Sequence, residues 1–222
     1  MKNDNSEIIS SLLSRAISNF NSGDFKNAIQ DFKKIIKINP KLSIPYLNIG
    51  TCRSNLGDFE GAIKEFSKAI QLNDENEIAY SNRGAAKSNL GDYKGAIEDY
   101  GKAIEINPND SYAYFNRGIA KSFLEEYKAA VDDYGKAIEI NPEDSIFLTN
   151  SGVAKLKLGD FEGSIQDNTI AIKINPNNAY AFCNRGIAKE FLGDIDGAIV
   201  DWEKSSELGH KEADKYIKKY SS

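Results

Sequence analysis

The sequence predicts an all-α solenoid: six helical pairs in tandem, closed by a short C-terminal helix. Three observations lead there. Pro108, Pro142 and Pro176 are evenly spaced (142 − 108 = 34 and 176 − 142 = 34), and Pro40 lies two such periods before Pro108 (108 − 40 = 68). A second phrase recurs in the same register: "SGDF" at 22–25, "LGDF" at 56–59, "LGDY" at 90–93, "LEEY" at 124–127, "LGDF" at 158–161 and "LGDI" at 192–195. Fixed-period self-similarity of this length is the mark of a repeat architecture. Between these punctuation marks the chain has little β-branched alternation and only five prolines in all, which favours helix over strand.

Six units follow, starting at Ile9, Ser43, Glu77, Ser111, Ser145 and Ala179. In each, a first helix of about 14 residues ends at the glycine of the recurring phrase (Gly23, Gly57, Gly91, Gly159, Gly193), where a left-handed residue terminates a helix. The following Asp24, Asp58, Asp92, Asp160 and Asp194 are N-cap candidates for a second helix, since a short side-chain oxygen accepts from its free N–H groups. That second helix stops at "INP", because proline resists continuation. Asn76, Asp110, Asp144 and Asn178 then cap the next unit. The fourth unit has Glu125–Glu126 in place of Gly–Asp, so its turn is expected to be the least well capped. Stacked repeats need a sealed end. The stretch "HKEADKYIKKYSS" offers Ala213, Tyr216, Ile217 and Tyr220 at helical spacing, which reads as a capping helix over about 211–220. The reading is of one domain over 1–222.

Small residues recur at repeat position 8 (Gly50, Gly84, Gly118, Gly152, Gly186), position 20 (Ala28, Ala62, Ala96, Ala130, Ala198, with Ser164 as the substitute) and position 27 (Ala69, Ala103, Ala137, Ala171). Aromatics hold position 4 (Tyr46, Tyr80, Tyr114, Phe182) and proline holds position 32. With these residues the chain resembles the tetratricopeptide repeat (TPR) family over roughly 9–212. The resemblance implies a right-handed superhelix of antiparallel helix pairs, with small residues letting helices approach and large ones at positions 4 and 24 filling between them. It also implies protein interaction in place of catalysis, through an inner wall built from first helices.

On such a wall, positions 2, 6, 9 and 13 form one stripe. Position 6 is Asn48, Asn82, Asn116, Asn150 and Asn184 in five consecutive units. Asparagine is a mediocre helix former, but its amide donates and accepts together, which suits a peptide backbone. The row resembles the asparagine ladder of TPR superhelices that clamp extended peptides, as in the O-linked N-acetylglucosamine transferase family. The other reading is that these amides bond only across the wall. Tyr112 and Tyr180 at position 2, Phe115 at position 5, Ile119 and Ile187 at position 9, and Phe123 and Phe191 at position 13 add apolar surface. This surface either meets a partner or, at positions 5 and 13, packs on the next unit. Basic residues are nearly absent from it, Lys157 excepted. The Lys/Arg set with which chaperone-tail binders of the family grip a terminal carboxylate is missing.

Basic residues sit instead at position 7 (Arg15, Arg83, Arg117, Arg185) and position 11 (Arg53, Lys87, Lys121, Lys155, Lys189), about 100° round the helix from the asparagines. An unpaired buried ion costs several kcal/mol. Position 23 supplies a carboxylate in every unit: Asp31, Glu65, Asp99, Asp133, Asp167 and Asp201. The expectation is a structural network of Arg83, Lys87 and Asp99, of Arg117, Lys121 and Asp133, and of Arg185, Lys189 and Asp201, which sets stacking register. The alternative is a basic strip that reaches acidic peptides.

Composition bounds the rest. Of 222 residues 41% are hydrophobic and 27% charged, with a formal charge of -5, which disfavours a nucleic-acid backbone as partner. No apolar run is long enough to span a bilayer, and the first residues lack the basic start and apolar centre of a signal peptide. Two cysteines give no disulfide framework. A cytoplasmic location is the expectation. Cys52 is read as a small core residue, Cys183 as accessible at the edge of the wall, and Trp202 as a core aromatic at position 24. His210, the single histidine, stands beside Gly209 with no catalytic neighbours. No cofactor, metal or catalytic residue is expected. The function that the residues and the resemblance together imply is a non-catalytic scaffold that holds an extended or helical peptide in its groove. The alternative is a self-associating module, a homo-oligomer or a subunit of a larger assembly.

Overall fold

The computed structural model describes residues 2–220, and among them the secondary structure is helical throughout, with no strand. The chain forms two compact units, Met1–Pro108 and Asn109–Ser222. The first holds α1 (Lys2–Asn21), α2 (Phe25–Ile38), α3 (Ser43–Asn55), α4 (Phe59–Leu72), α5 (Glu77–Asn89) and α6 (Tyr93–Ile106). The second holds α7 (Ser111–Phe123), α8 (Tyr127–Ile140), α9 (Ser145–Leu158), α10 (Phe161–Ile174), α11 (Ala179–Phe191), α12 (Ile195–Glu207) and α13 (Ala213–Tyr220). Odd- and even-numbered helices pack as pairs, and within each unit every pair leans on the next. From the second repeat onward the first helices begin at the residues expected from the period. The exception is α1, which starts seven residues ahead of Ile9 because no glycine or proline interrupts that stretch.

The turns follow from their residues. At Gly57 the backbone adopts φ 78°, and the next amide, Asp58 N–H, returns to the Arg53 carbonyl at 2.9 Å, closing the C-terminus of α3. Asp58 then accepts from Gly61 N–H at 2.9 Å and caps α4. Asp24, Asp92, Asp160 and Asp194 repeat the arrangement. In the fourth repeat Glu125 takes the left-handed conformation with φ 62°, a conformation a side chain disfavours. Glu126, at the N-cap of α8, makes no side-chain cap bond. The second helices of the first five repeats end on Asn39, Asn73, Asn107, Asn141 and Asn175, one residue before the proline position, and all but Asn141 are extended. Asn39, Asn73 and Asn175 also accept from the amide two residues on, so asparagine shares the work of ending the helix with proline.

Packing explains the small residues. A Cβ on Gly118 would come within 2.7 Å of the Tyr134 ring, and one on Gly186 within 2.5 Å of Trp202. The position-8 glycines Gly50, Gly84, Gly118 and Gly186 are therefore the seats for the large position-24 side chains Phe66, Tyr100, Tyr134 and Trp202 of their partner helices. Ala130 and Ala137 flank Tyr134 in full burial, with Phe115 and Phe147 completing the cluster. The C-terminal end is sealed by α13: Tyr216 stacks on Trp202 at 5.1 Å between centroids. Lys219 Nζ and Tyr220 Oη both donate to Glu190 Oε1 at 2.6 Å.

The fifth repeat departs from this plan. Where the others place Phe32, Phe66, Tyr100, Tyr134 or Trp202, it buries Asn168 against Ser164. Asn168 Nδ2 donates to the Ser164 carbonyl at 2.9 Å, while its Oδ1 accepts from nothing among the described residues.

Candidate inner-wall groove

Within each unit, first helices of successive repeats touch: α3 meets α5, and α9 meets both α7 and α11. The asparagine row lies on this face, each side chain half-buried. Asn48 Nδ2 donates to the Ile44 carbonyl and Asn150 Nδ2 to the Ile146 carbonyl, both at 2.9 Å within their own helices. In each case the amide oxygen stays available. The side chains of Asn82, Asn116 and Asn184 form no hydrogen bond among the described residues, so both the donor and the acceptor of each amide are uncommitted. Among the described residues, no side chain of the asparagine row bonds a neighbouring helix.

The second unit carries two contiguous depressions on this wall. One, of about 240 Å³, is lined by Ile119, Ser122, Phe123, Tyr127, Val153 and Lys157, among others. The other, of about 440 Å³, is lined by Ile146, Thr149, Asn178, Tyr180 and Asn184. Asn150 and Val153 line both and form the ridge between them. Ile119 is half-buried and packs on the Phe115–Tyr134 cluster. Tyr180 is 63% exposed, its ring 4.7 Å from that of His210. Phe191 is 65% exposed and stacks flat at 4.5 Å on Phe161, the first residue of the preceding repeat's second helix, so position 13 packs on the neighbouring repeat and still faces solvent. Tyr112 Oη donates to Asp144 Oδ2 at 3.2 Å, which holds that ring against Phe147.

Three sequence assignments change. Phe115 is 8% exposed, its ring 4.7 Å from that of Phe147 and 5.8 Å from that of Tyr134, so it belongs to the core and not to the wall. Position 5 turns inward between adjacent pairs. Ile187 is half-buried against the Cys183–Trp202 cluster and offers the wall only part of its surface. Cys183 is 4% exposed, against the expectation of an accessible edge; burial pushes its thiol up to about 11. Cys52 is likewise buried and raised to about 11 by desolvation.

The charged positions meet as pairs between the two helices of a repeat. Arg83 Nε and Nη2 donate to Asp99 at 2.9 and 2.6 Å, with Lys87 Nζ 2.8 Å from the same carboxylate. Arg117 reaches Asp133 at 2.8 and 2.7 Å, joined by Lys121 at 2.8 Å. Arg185 reaches Asp201 at 2.9 and 2.6 Å, joined by Lys189 at 2.7 Å. Bidentate pairs are the strong form of this contact. Arg15 makes the same fork on Asp31, whose carboxyl is held down at about 2 chiefly by that hydrogen bond. In the fifth repeat Ser151 Oγ replaces the arginine, donating to Asp167 at 2.7 Å beside Lys155.

Two features of the network were not read from the sequence. Arg83, Arg117 and Arg185 lie over the rings of Tyr80, Tyr114 and Phe182 at 5.5, 5.6 and 5.5 Å. The i, i+3 spacing of those residues was the available signal. Arg83 Nη1 also donates to Ser67 Oγ at 3.0 Å and Arg185 Nη1 to Thr169 Oγ1 at 3.2 Å, each on the second helix of the preceding repeat. These arginines thus tie a repeat to its neighbour as well as to itself.

Profiles of the tetratricopeptide repeat match residues 9–42, 78–110 and 111–144, and one of the TPR repeat matches 55–91. The chain belongs to the tetratricopeptide repeat family. Members of this family build protein-interaction scaffolds. Among solved structures the chain is similar to pilF of Pseudomonas aeruginosa, at 15% identity, 97% of this chain and 99% of that one, with a TM-score of 0.81. It is also similar to YrrB, described as a TPR protein with an unusual peptide-binding site, at 23% identity over 84% and 97% of the two chains, TM-score 0.74. A third is the MamA protein, at 26% identity over 81% and 96%, TM-score 0.71. No curated protein matches the chain. No described helix of this TPR protein is long and apolar enough to cross a membrane.

Proposed function

We propose that this TPR protein is a non-catalytic interaction module that holds an extended peptide along the inner wall of its second unit. The observation that carries the reading is the pair of contiguous depressions that meet at Asn150 and Val153, with hydrogen-bonding groups left open on that ridge and in the second depression. Asn150 keeps its amide oxygen free, and Asn184 keeps both functions free. An extended backbone presents alternating N–H and C=O groups, and an amide side chain satisfies either. Ile119, Phe123, Val153 and Tyr180 supply the apolar floor for side chains. Tyr180 and Phe123 contribute the rigid aromatic area that interface anchors favour. The peptide-binding site of YrrB is in keeping with this reading, and what the two chains share is the fold alone.

The test is selection from a displayed library of random nine-residue peptides against the wild type and an Asn150→Ala/Asn184→Ala variant. Neither asparagine supports the core, and alanine is the better helix former, so the variant keeps its helical circular dichroism. Two net backbone hydrogen bonds are worth about 1–3 kcal/mol, so selected peptides bind the variant roughly tenfold more weakly. Enrichment that is equal on both proteins moves the site off this wall. Light scattering on the same samples addresses the other reading, since a concentration-dependent oligomer that occludes the groove makes the face a self-association surface.

A further inference from the structure

The charges around the groove are arranged by end. Lys157 lines the first depression and has no carboxylate within ion-pair reach among the described residues, whereas Lys155, two residues before it on α9, is held by Asp167 at 2.7 Å. The second depression is lined by neutral residues only. Beyond it, beside Ile146, Glu143 and Asp144 line an adjoining hollow. The groove therefore runs from a cation, through an apolar and amide middle, to carboxylates. An overall charge of -5 makes the lone cation on this wall the more selective feature.

We infer that the groove takes an internal extended segment of a partner protein that carries two apolar side chains flanked, at the Lys157 end, by an aspartate or glutamate. This rests on the peptide-binding reading above and names the ligand class. Ile146 and Lys157 are 157 − 146 = 11 residues apart on α9, about 16 Å of helix rise. About five extended residues cover that distance. A segment seated in both depressions crosses α9 obliquely over Asn150 and Val153, and its acidic residue meets Lys157 as the chain leaves the groove. The opposite orientation sets that residue against Glu143 and Asp144, which repel it. Like-charge juxtaposition of this kind is what fixes register and direction at an interface. A terminal carboxylate is the less fitting source of the charge, because one lysine supplies a point charge without the several donors that cap a chain end.

The experiment uses acetyl- and amide-capped nine-residue peptides from the selection, labelled with fluorescein and read by anisotropy on the full chain. On wild type, replacing the acidic residue by glutamine weakens binding about two- to fivefold, the range of a partly exposed ion pair, and about 0.5 M salt removes the difference. Lys157→Gln abolishes the preference while retaining the apolar anchors. Lys157→Glu reverses it, so that the same peptide with lysine at that place binds more tightly. Lys157 is an exposed helix residue, and unchanged circular dichroism verifies both variants. Capped peptides that bind through Asn150 and Asn184 but show no charge preference sensitive to Lys157 overturn this inference and leave the peptide-binding reading standing. Binding that requires an uncapped C-terminus also overturns it. A wild type that enriches no peptide overturns both.

Discussion

Removing Asp201 tests the charge network where it is best observed. Its side chain is 3% exposed and takes two hydrogen bonds from Arg185 and one ion pair from Lys189. Asp201→Ala leaves two cations facing a hydrophobic gap. Breaking a buried pair by deleting one partner costs roughly 3–5 kcal/mol. Here the cations are 17% and 22% exposed and can turn part-way to water, so the cost falls to or just below the bottom of that range, about 2–3 kcal/mol. The control is on the same helix. Lys204 pairs with Glu207 at 2.9 Å, but both side chains are about half exposed or more, and Lys204→Ala is expected to cost no more than about 0.5 kcal/mol. Trp202, the only tryptophan, is fully buried next to Asp201. Its fluorescence in a urea titration therefore reports the unfolding of this repeat, where a whole-chain signal would blend stretches of differing stability. A triple Arg185→Met/Lys189→Met/Asp201→Leu variant removes all three charges and is expected to recover most of the loss. If Asp201→Ala unfolds within about 0.5 kcal/mol of wild type, or no further from it than Lys204→Ala, the network is ornamental and the reasoning fails.

Other outcomes follow from single residues. Glu125→Gly relieves a left-handed side-chain residue at φ 62° and is expected to stabilise the second unit by about 0.5–1 kcal/mol by urea titration, after the entropy glycine adds to the unfolded chain. Asn168→Leu with Ser164→Ala removes the buried Oδ1 that accepts no hydrogen bond, and a gain of about 1–2 kcal/mol is expected in the same assay. Cys52 and Cys183, each raised to about 11 by burial, are expected to resist a thiol reagent at about pH 8 in the native protein and to react promptly once urea unfolds it.

Most of the fold was legible because each structural need falls on a residue type that few others can replace. Only glycine meets Gly57's left-handed turn without strain, and only a short acceptor caps as Asp58 does, so both recur at a fixed spacing. The pairing of Arg117 with Asp133 was legible for a related reason: a guanidinium on an interior face requires a carboxylate, and the period supplied one. What escaped was orientation. Phe115 and Phe123 are both aromatic residues on α7, yet one is 8% exposed and the other 62%. Their fates depend on how closely α9 approaches, which a single helix does not encode. Cys183 went the same way, since α12 and α13 close over it only in the folded chain. The stacking of Arg83 on Tyr80 was available at i, i+3 but was hidden by the assignment of position 4 to packing alone. The boundary at Pro108 also leaves no mark, because "INPND" there and "INPED" one period later are nearly the same.

The central claim is that open asparagine amides on the second unit's wall bond a peptide backbone. The most direct measurement is the nitrogen-15 spectrum of side-chain amides during titration with a selected capped peptide. The account predicts that the Asn150 and Asn184 resonances shift together and saturate at the affinity read by anisotropy. The Asn48 amide, on α3 of the first unit, stays in place. Saturable binding that leaves Asn150 and Asn184 unmoved would contradict it.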